Sequence, residues 1–273
     1  MFAKKFQDFQ LQGFGSAKAF LFDTIESTHS LMKEKARSGE ISAGTLFVAD
    51  TQSKGRGRHE RTWESPAGKN LYFNILIPLD GIPANRYAQI TQIAALTFAE
   101  IFISMQEDGE LNKRSQGPAI TVKWPNDILY GKSKFCGILS EIVFTPNGPA
   151  LSMGVGLNVN SEPIEYASLG RDVTTLKAIL GREVDREKLL QALIAGLERA
   201  TLQFKAFGIL PWVDAWRKMD KFLGARGTII EKDSSGKAIQ IQGKILDMQN
   251  DGSLLFECDN GEIKTVYSAD LEI

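Results

Sequence analysis

The chain has 273 residues, 43% of them hydrophobic and 24% charged, and its 32 basic and 33 acidic side chains leave a formal net charge of -1. That length buries a substantial core with room for one large domain and a small one, and the composition excludes global disorder. The charge balance gives no overall attraction to nucleic acid or to an anionic membrane.

The first eleven residues lack the apolar core of a signal peptide, and no uninterrupted apolar run approaches the roughly 20 residues that span a bilayer. A cytoplasmic protein is expected. Cys136 and Cys258 lie far apart without C-x-x-C spacing, so neither a disulfide framework nor a zinc site is indicated.

The opening, up to about Ala19, is polar and reads as a loose arm. Residues 19–22 read as a strand. Ser27 and Thr28 are both plausible N-caps for a helix over 30–37, stopped at Gly39. A strand over 45–50 leads into 52–69, where Gly55, Gly57, Pro66 and Gly68 among charges rule out regular structure. Residues 70–78 form an apolar strand. Ile90, Ile93, Ala94, Phe98, Ile101 and Phe102 recur at helical spacing within a helix over 86–105.

Strands follow over 120–123, 128–130, 135–144 and 150–159, with turns at Gly131-Lys132 and Asn147-Gly148. Hairpins and separated helices point to an α+β fold rather than a doubly wound parallel sheet. Helices are predicted over 185–204 and 211–219. From Phe222 the texture changes to short β segments at 227–231, 238–248, 253–258 and 262–268, separated by Gly-containing turns. Such spacing predicts a small barrel of about 50 residues. The boundary falls near Lys221, dividing the chain into 1–221 and 222–273.

Three segments carry chemistry. Lys54-Gly55-Arg56-Gly57-Arg58-His59-Glu60-Arg61-Thr62-Trp63 combines four basic residues with two glycines that let backbone approach a ligand. Arginine forks grip phosphate oxygens in bidentate fashion, and Trp63 offers a flat lid. A solvated loop or a nucleic-acid contact has the same composition. Next, Lys123-Trp124-Pro125-Asn126-Asp127 precedes a hairpin that returns Lys134 toward Asn126 and Asp127. A lysine, a carboxylate and an amide in one hollow suit an anionic substrate and a metal-bound nucleotide, although an isolated hairpin of this kind is also an ordinary charged surface. Last, Gly154-Val155-Gly156-Leu157-Asn158-Val159-Asn160 places two glycines in an apolar strand, where a ligand or a neighbouring group packs close.

In this order, the three segments resemble the biotin protein ligase family. The match includes Glu26-Ser27-Thr28, Gly55-Arg56-Gly57-Arg58 with Arg61 and Trp63, the Lys123-Trp124-Pro125-Asn126-Asp127 run, Lys134 with Gly137 and Glu141, and the Gly154-to-Asn160 strand. It is strong from about Thr24 to Asn160 and weaker beyond. It implies a mixed sheet flanked by helices, related to class II aminoacyl-tRNA synthetases, followed by a small SH3-like barrel. The implied activity is ATP-dependent activation of biotin to biotinyl-5′-AMP and transfer to a lysine of a biotin carboxyl carrier protein domain.

The resemblance also implies roles. Ser27, Thr28, Gln52, Arg56, Arg58, Lys134 and Gly137 would bind biotin. Arg58, Arg61, Trp63, Asn126 and Asn158 would bind the nucleotide. Lys134 and Arg58 would stabilise the reacting anions, and Asp127 would meet Mg²⁺ through ATP and help with the acceptor proton. The glycine loop, 55–61, is expected to be mobile without ligand and ordered with it. Many members carry glycine where this chain has Glu60 and asparagine where it has His29. An inward Glu60 would weaken the hold on the adenylate. His29 reads as a first-turn helix residue rather than a catalyst.

Only about 20 residues precede the first strand, too few for a winged helix-turn-helix, so no sequence-specific DNA binding is expected. A homodimer is possible within the family. Two competing readings remain: a lipoate or octanoate ligase of the same fold, and a nucleic-acid-binding module.

Overall fold

The computed structural model describes residues 18–58, 61–107, 119–232 and 237–273. The N-terminal arm, Glu60 and the predicted turn between the segments at 227–231 and 238–248 lie outside those residues.

After β1 (Ala19–Ile25), Ser27 caps α1 (Thr28–Arg37): its side chain accepts from Ser30 N. Such a cap stabilises a helix by about 1 kcal/mol. α1 is the crossover that lets β1 lie parallel to β2 (Leu46–Gln52). Every other pairing in the large sheet is antiparallel. β3 (Leu71–Pro78), β4 (Ile120–Lys123), β5 (Asp127–Tyr130), β6 (Ser133–Thr145) and β7 (Gly148–Leu157) complete seven strands in the order β1-β2-β3-β7-β6-β5-β4. The expected α+β character is what the topology has.

β3 is buried almost throughout because both sheet faces are covered. Phe73, Ile75 and Ile77 join the main core with α2 (Gln89–Glu107) and α4 (Arg186–Phe207), whereas Leu76 joins a second cluster with Met32 and Ala36 of α1. The two-residue period of a strand sorts them. The segment Ala84–Glu107 is long and apolar enough to cross a membrane by length and composition, yet 61% of its best window is buried inside the protein. It is a core helix.

The structure extends several predicted elements. β1 runs three residues further than read, and the helix read from residue 86 is a 3-10 turn, Ala84–Arg86, followed by α2. A seven-residue 3-10 helix, Pro163–Leu169, and the five-residue α3 (Leu176–Leu180) went unread, because runs this short do not show an apolar periodicity.

After α5 (Leu210–Met219) come β8 (Arg226–Lys232), β9 (Ala238–Met248), β10 (Leu254–Cys258), β11 (Ile263–Val266) and β12 (Asp270–Glu272). They make a separate antiparallel sheet ordered β11-β10-β9-β8-β12. It is pressed onto the first unit at Gly252, whose carbonyl accepts from Trp124 Nε1 (3.0 Å) and Gln92 Nε2 (2.7 Å). Only glycine fits there: φ is +82°, and a Cβ would stand 2.3 Å from Gln92 Oε1.

Asp220 lies buried at the junction of the two units, accepting from Phe222 N (2.9 Å) and Trp216 Nε1 (3.2 Å). Burial pushes its carboxyl up to about 6, against those hydrogen bonds and the charge of Lys123. The native state therefore holds this proton more tightly than the unfolded chain does. Its stabilising contribution is complete below the ordinary value of 3.8 and is lost as pH rises through 6. Denaturant titrations of Asp220→Asn and the parent between these pH values are expected to show the fall in the parent alone; parallel curves would refute it.

Candidate active site

The glycine loop, the 123–127 turn and the Gly154–Gly156 stretch converge on one cavity of about 490 Å³. Its polar end is built by α1 and β2. Thr28 donates from its backbone N (2.8 Å) and its hydroxyl (3.0 Å) to Gln52 Oε1, and Gln52 Nε2 donates to Ser65 Oγ (3.3 Å). Ser27, Thr28, Gln52, Arg56, Arg58, Lys134 and Gly137 all line this one space.

Lys134 returns as the hairpin requires. β5 and β6 pair Asp127 with Gly137 and Leu129 with Lys134, with an irregularity between. Lys134 Nζ lies 2.6 Å from Asp127 Oδ1 in an ion pair that is out of line for a hydrogen bond. The same ammonium sits 5.3 Å from the Trp63 ring centroid, within cation–π range. Trp63 in turn lies flat against β7: a Cβ on Gly156 would stand 2.3 Å from its Cε2. The glycines of that strand make room for the indole.

Arg58 lines the cavity and reaches the second sheet. Its guanidinium donates to Ala269 O (3.0 Å) and approaches Asn126 Oδ1 and Asp270 Oδ1, both at 3.5 Å. Burial draws its pKa below the ordinary value, opposed by Asp270 and Asp127. Arg61 pairs with Glu272 (3.0 Å) and Asp270 (3.5 Å). Asn126 donates to Ile138 O (2.6 Å), which leaves its amide oxygen toward Arg58. His59, Glu60 and any pairing they make are outside the described residues.

Asn158 stands apart from the main space. It borders a small adjoining hollow with Trp63, Lys134 and Arg171, and its Nδ2 donates to Thr174 O (3.3 Å). Besides Asp127 Oδ1, which has the Lys134 ammonium beside it, two buried polar atoms at the site lack a hydrogen-bond partner in the protein: Trp63 Nε1 and Asn158 Oδ1. Groups left so are costly unless a ligand or water meets them.

Sequence reasoning missed the far walls. Asp270, Glu272 and Ile273 of the second sheet line the cavity, as do Lys123, Arg171 and Asp172. Lys123 was visible in its motif, and burial lowers its pKa. β12 carries no motif, and Arg171-Asp172 lies in irregular chain where Lys134 N donates to Asp172 O (3.1 Å). His29 is indeed the second residue of α1, but it is buried and also lines the cavity.

A family profile described as the biotin/lipoate A/B protein ligase family matches residues 21–158. The bifunctional ligase/repressor BirA of Bacillus subtilis is 30% identical over 253 residues, covering 92% of this chain and 72% of that protein. The biotin–[acetyl-CoA-carboxylase] ligase of Mycobacterium tuberculosis is 28% identical over 66% of this chain and 62% of its own. The biotin protein ligase of Aquifex aeolicus, solved in complex with biotin and ATP, superposes with a TM-score of 0.76 at 26% identity, covering 93% of this chain and 97% of that one. This chain belongs to the biotin/lipoate A/B protein ligase family.

Proposed function

We propose that this chain activates biotin with ATP as biotinyl-5′-AMP and transfers the biotinyl group to a lysine of a carboxylase's biotin carrier domain. One observation carries the reading: a polar head-group end (Ser27, Thr28, Gln52) and a cationic end (Arg58, Lys134) share a single cavity. Relatives named as biotin ligases, and a solved neighbour holding biotin and ATP, support the choice of substrates.

The chemistry follows from the charges. Biotin's carboxylate is already a nucleophile at neutral pH, so the first step needs no general base. A carboxylate oxygen attacks the α-phosphorus in line, a C–O–P link forms, and the bond to the β-phosphate breaks with pyrophosphate as leaving group. Two anions must meet, and Lys134 and Arg58 offset their repulsion in a site partly screened from water. Holding the reactants in register contributes several further kcal/mol, of the order of 7–11 at best. Trp63 shields the anhydride from water. In the second step a neutral amine attacks the acyl carbon and AMP leaves; Asp127, whose carboxylate lines the cavity beside Lys134, takes the amine proton in this reading.

Among the described residues no three His, Cys, Asp or Glu side chains converge on a metal site. Mg²⁺ commonly takes one or two carboxylates and completes its shell with phosphates and water. Asp127 fits that demand, and the ion would spread phosphate charge when bound. Residues 222–273 are taken as the SH3-like unit and 1–221 as the catalytic unit, supported by the change of sheet at α5.

The test is transfer of labelled biotin to a carrier domain with and without ATP, with octanoate and lipoate as competitors. Label on the carrier only with ATP is expected. Preferential transfer of a linear acid would replace this reading with the lipoate-type one.

A further inference from the structure

We infer that His29 and Glu141 form a positioning pair that sets the protein's affinity for the head group of its acid substrate. This rests on the biotin-binding reading above. His29 is buried, its ring lines the cavity, and both ring nitrogens are engaged by the protein. Nε2 lies 3.0 Å from Glu141 Oε1, and Nδ1 lies 2.9 Å from Asn74 Nδ2. Ser152 Oγ donates to Asn74 Oδ1 (3.1 Å), and Lys33 of α1 binds the other oxygen of Glu141.

His29 and Lys33 hold the Glu141 carboxyl down at about 2, so it is an acceptor only, and Nε2 carries the hydrogen of the bond between them. Asn74 Nδ2 and, at 3.4 Å, Ser152 Oγ both face Nδ1. Both ring nitrogens are thus engaged, with only the C–H edge and ring face left for a ligand. A chain of polar groups then runs from Ser152 through Asn74, His29 and Glu141 to Lys33.

The partners sit on three adjacent strands. Asn74 of β3 is paired with Gly154 of β7, and Glu141 of β6 with Ser152 of β7. The network thus pins the first turn of α1 to the centre of the large sheet. Thr28 is the preceding residue, and its backbone N and hydroxyl are the groups that hold Gln52. Releasing the His29 ring frees that turn, and with it the donors and acceptors at the head-group end. The phosphate-facing residues lie away from that turn, Arg58 in the glycine loop and Lys134 seven positions before Glu141 on β6, fixed by backbone bonds to Asp172 and Thr174, and they keep their places. Truncating a network that acts as one unit also makes its members' effects non-additive.

The test is steady-state kinetics on the full-length protein, by biotin-dependent ATP–pyrophosphate exchange. Glu141→Ala and His29→Ala are each expected to raise the KM for biotin about tenfold, leaving kcat and the KM for ATP within about twofold, the pattern of lost ground-state binding. The double variant should match either single one. Glu141→Gln, which still accepts from Nε2–H, should recover most of the biotin KM. Val143→Ala is the control: Val143 packs with Met32 and Ala36 of α1 but is outside the polar chain. If Val143→Ala, matched for loss of Tm, raises the biotin KM equally, or if the KM for ATP rises in step, the inference is overturned. If the parent protein shows no exchange with biotin, it is the functional reading that fails.

Discussion

Replacing Lys134 with alanine is expected to lower biotin-dependent ATP–pyrophosphate exchange by about 100- to 1,000-fold, the cost of deleting one preorganised charge donor. The expectation comes from where its ammonium is held. It has Asp127 at 2.6 Å on one side and the Trp63 ring at 5.3 Å on the other, in a side chain only 24% exposed. Arg58 and Lys123 line the same cavity, but Arg58 is held by Ala269 O and Asp270, and neither sits between Asp127 and the Trp63 ring as Lys134 does. Arginine is not expected to rescue. A wider, planar guanidinium does not reproduce the compact ammonium held between Asp127 and the Trp63 ring. The fold should tolerate the alanine change, because Lys134 is held in β6 by backbone bonds to Asp172 and Thr174. Exchange within tenfold of the parent, with unchanged thermal unfolding, would remove Lys134 from the chemistry.

Gly156→Ala is expected to uncouple ATP use from transfer. The added methyl would stand 2.3 Å from Trp63 Cε2 and 2.6 Å from Nε1. β7 cannot retreat: Gly156 is paired with Tyr72 on one side and Gly137 on the other. The indole must leave instead, since its loop is tied by fewer bonds, among them Gly57 N to Arg61 O and Trp63 N to Gly55 O. Water then reaches the anhydride. The ratio of AMP formed to biotin transferred should rise about tenfold or more, while stability changes by the 1–3 kcal/mol usual for an overpacked site or less. A parental ratio would mean that Trp63 is not the shield.

Glu141 acts oppositely to Asp220 on acid stability. Its carboxyl is depressed, so the contribution it makes above its ordinary value of 4.5 is lost as pH falls toward 2. The polar ties at the head-group end and at the junction of the two sheets thus respond to acid in opposite directions.

Much of the site was legible because its elements are local. Gly-Arg-Gly-Arg, the Trp124-Pro125-Asn126-Asp127 turn and the hairpin to Lys134 each lie within one short stretch whose geometry is set by neighbouring residues. The cap at Ser27, the alternation in β3 and the helical spacing in α2 are readable for the same reason. The expected place of Asn158 was less well read: it faces an adjoining hollow, because Thr174 draws its amide away.

The residues by themselves determined the α+β class, the order of the three chemical segments and the change of texture near Phe222, since periodicity, turn chemistry and charge act over a few residues. Only the tertiary structure decided which groups face one another. Arg58 meets Ala269, and Arg61 meets Glu272, each across 211 residues of chain. His29 and Glu141 meet across 112. The first two depend on how the second sheet packs on the first unit and the third on how α1 packs on the large sheet, and packing is a property of complementary surfaces rather than of any local pattern.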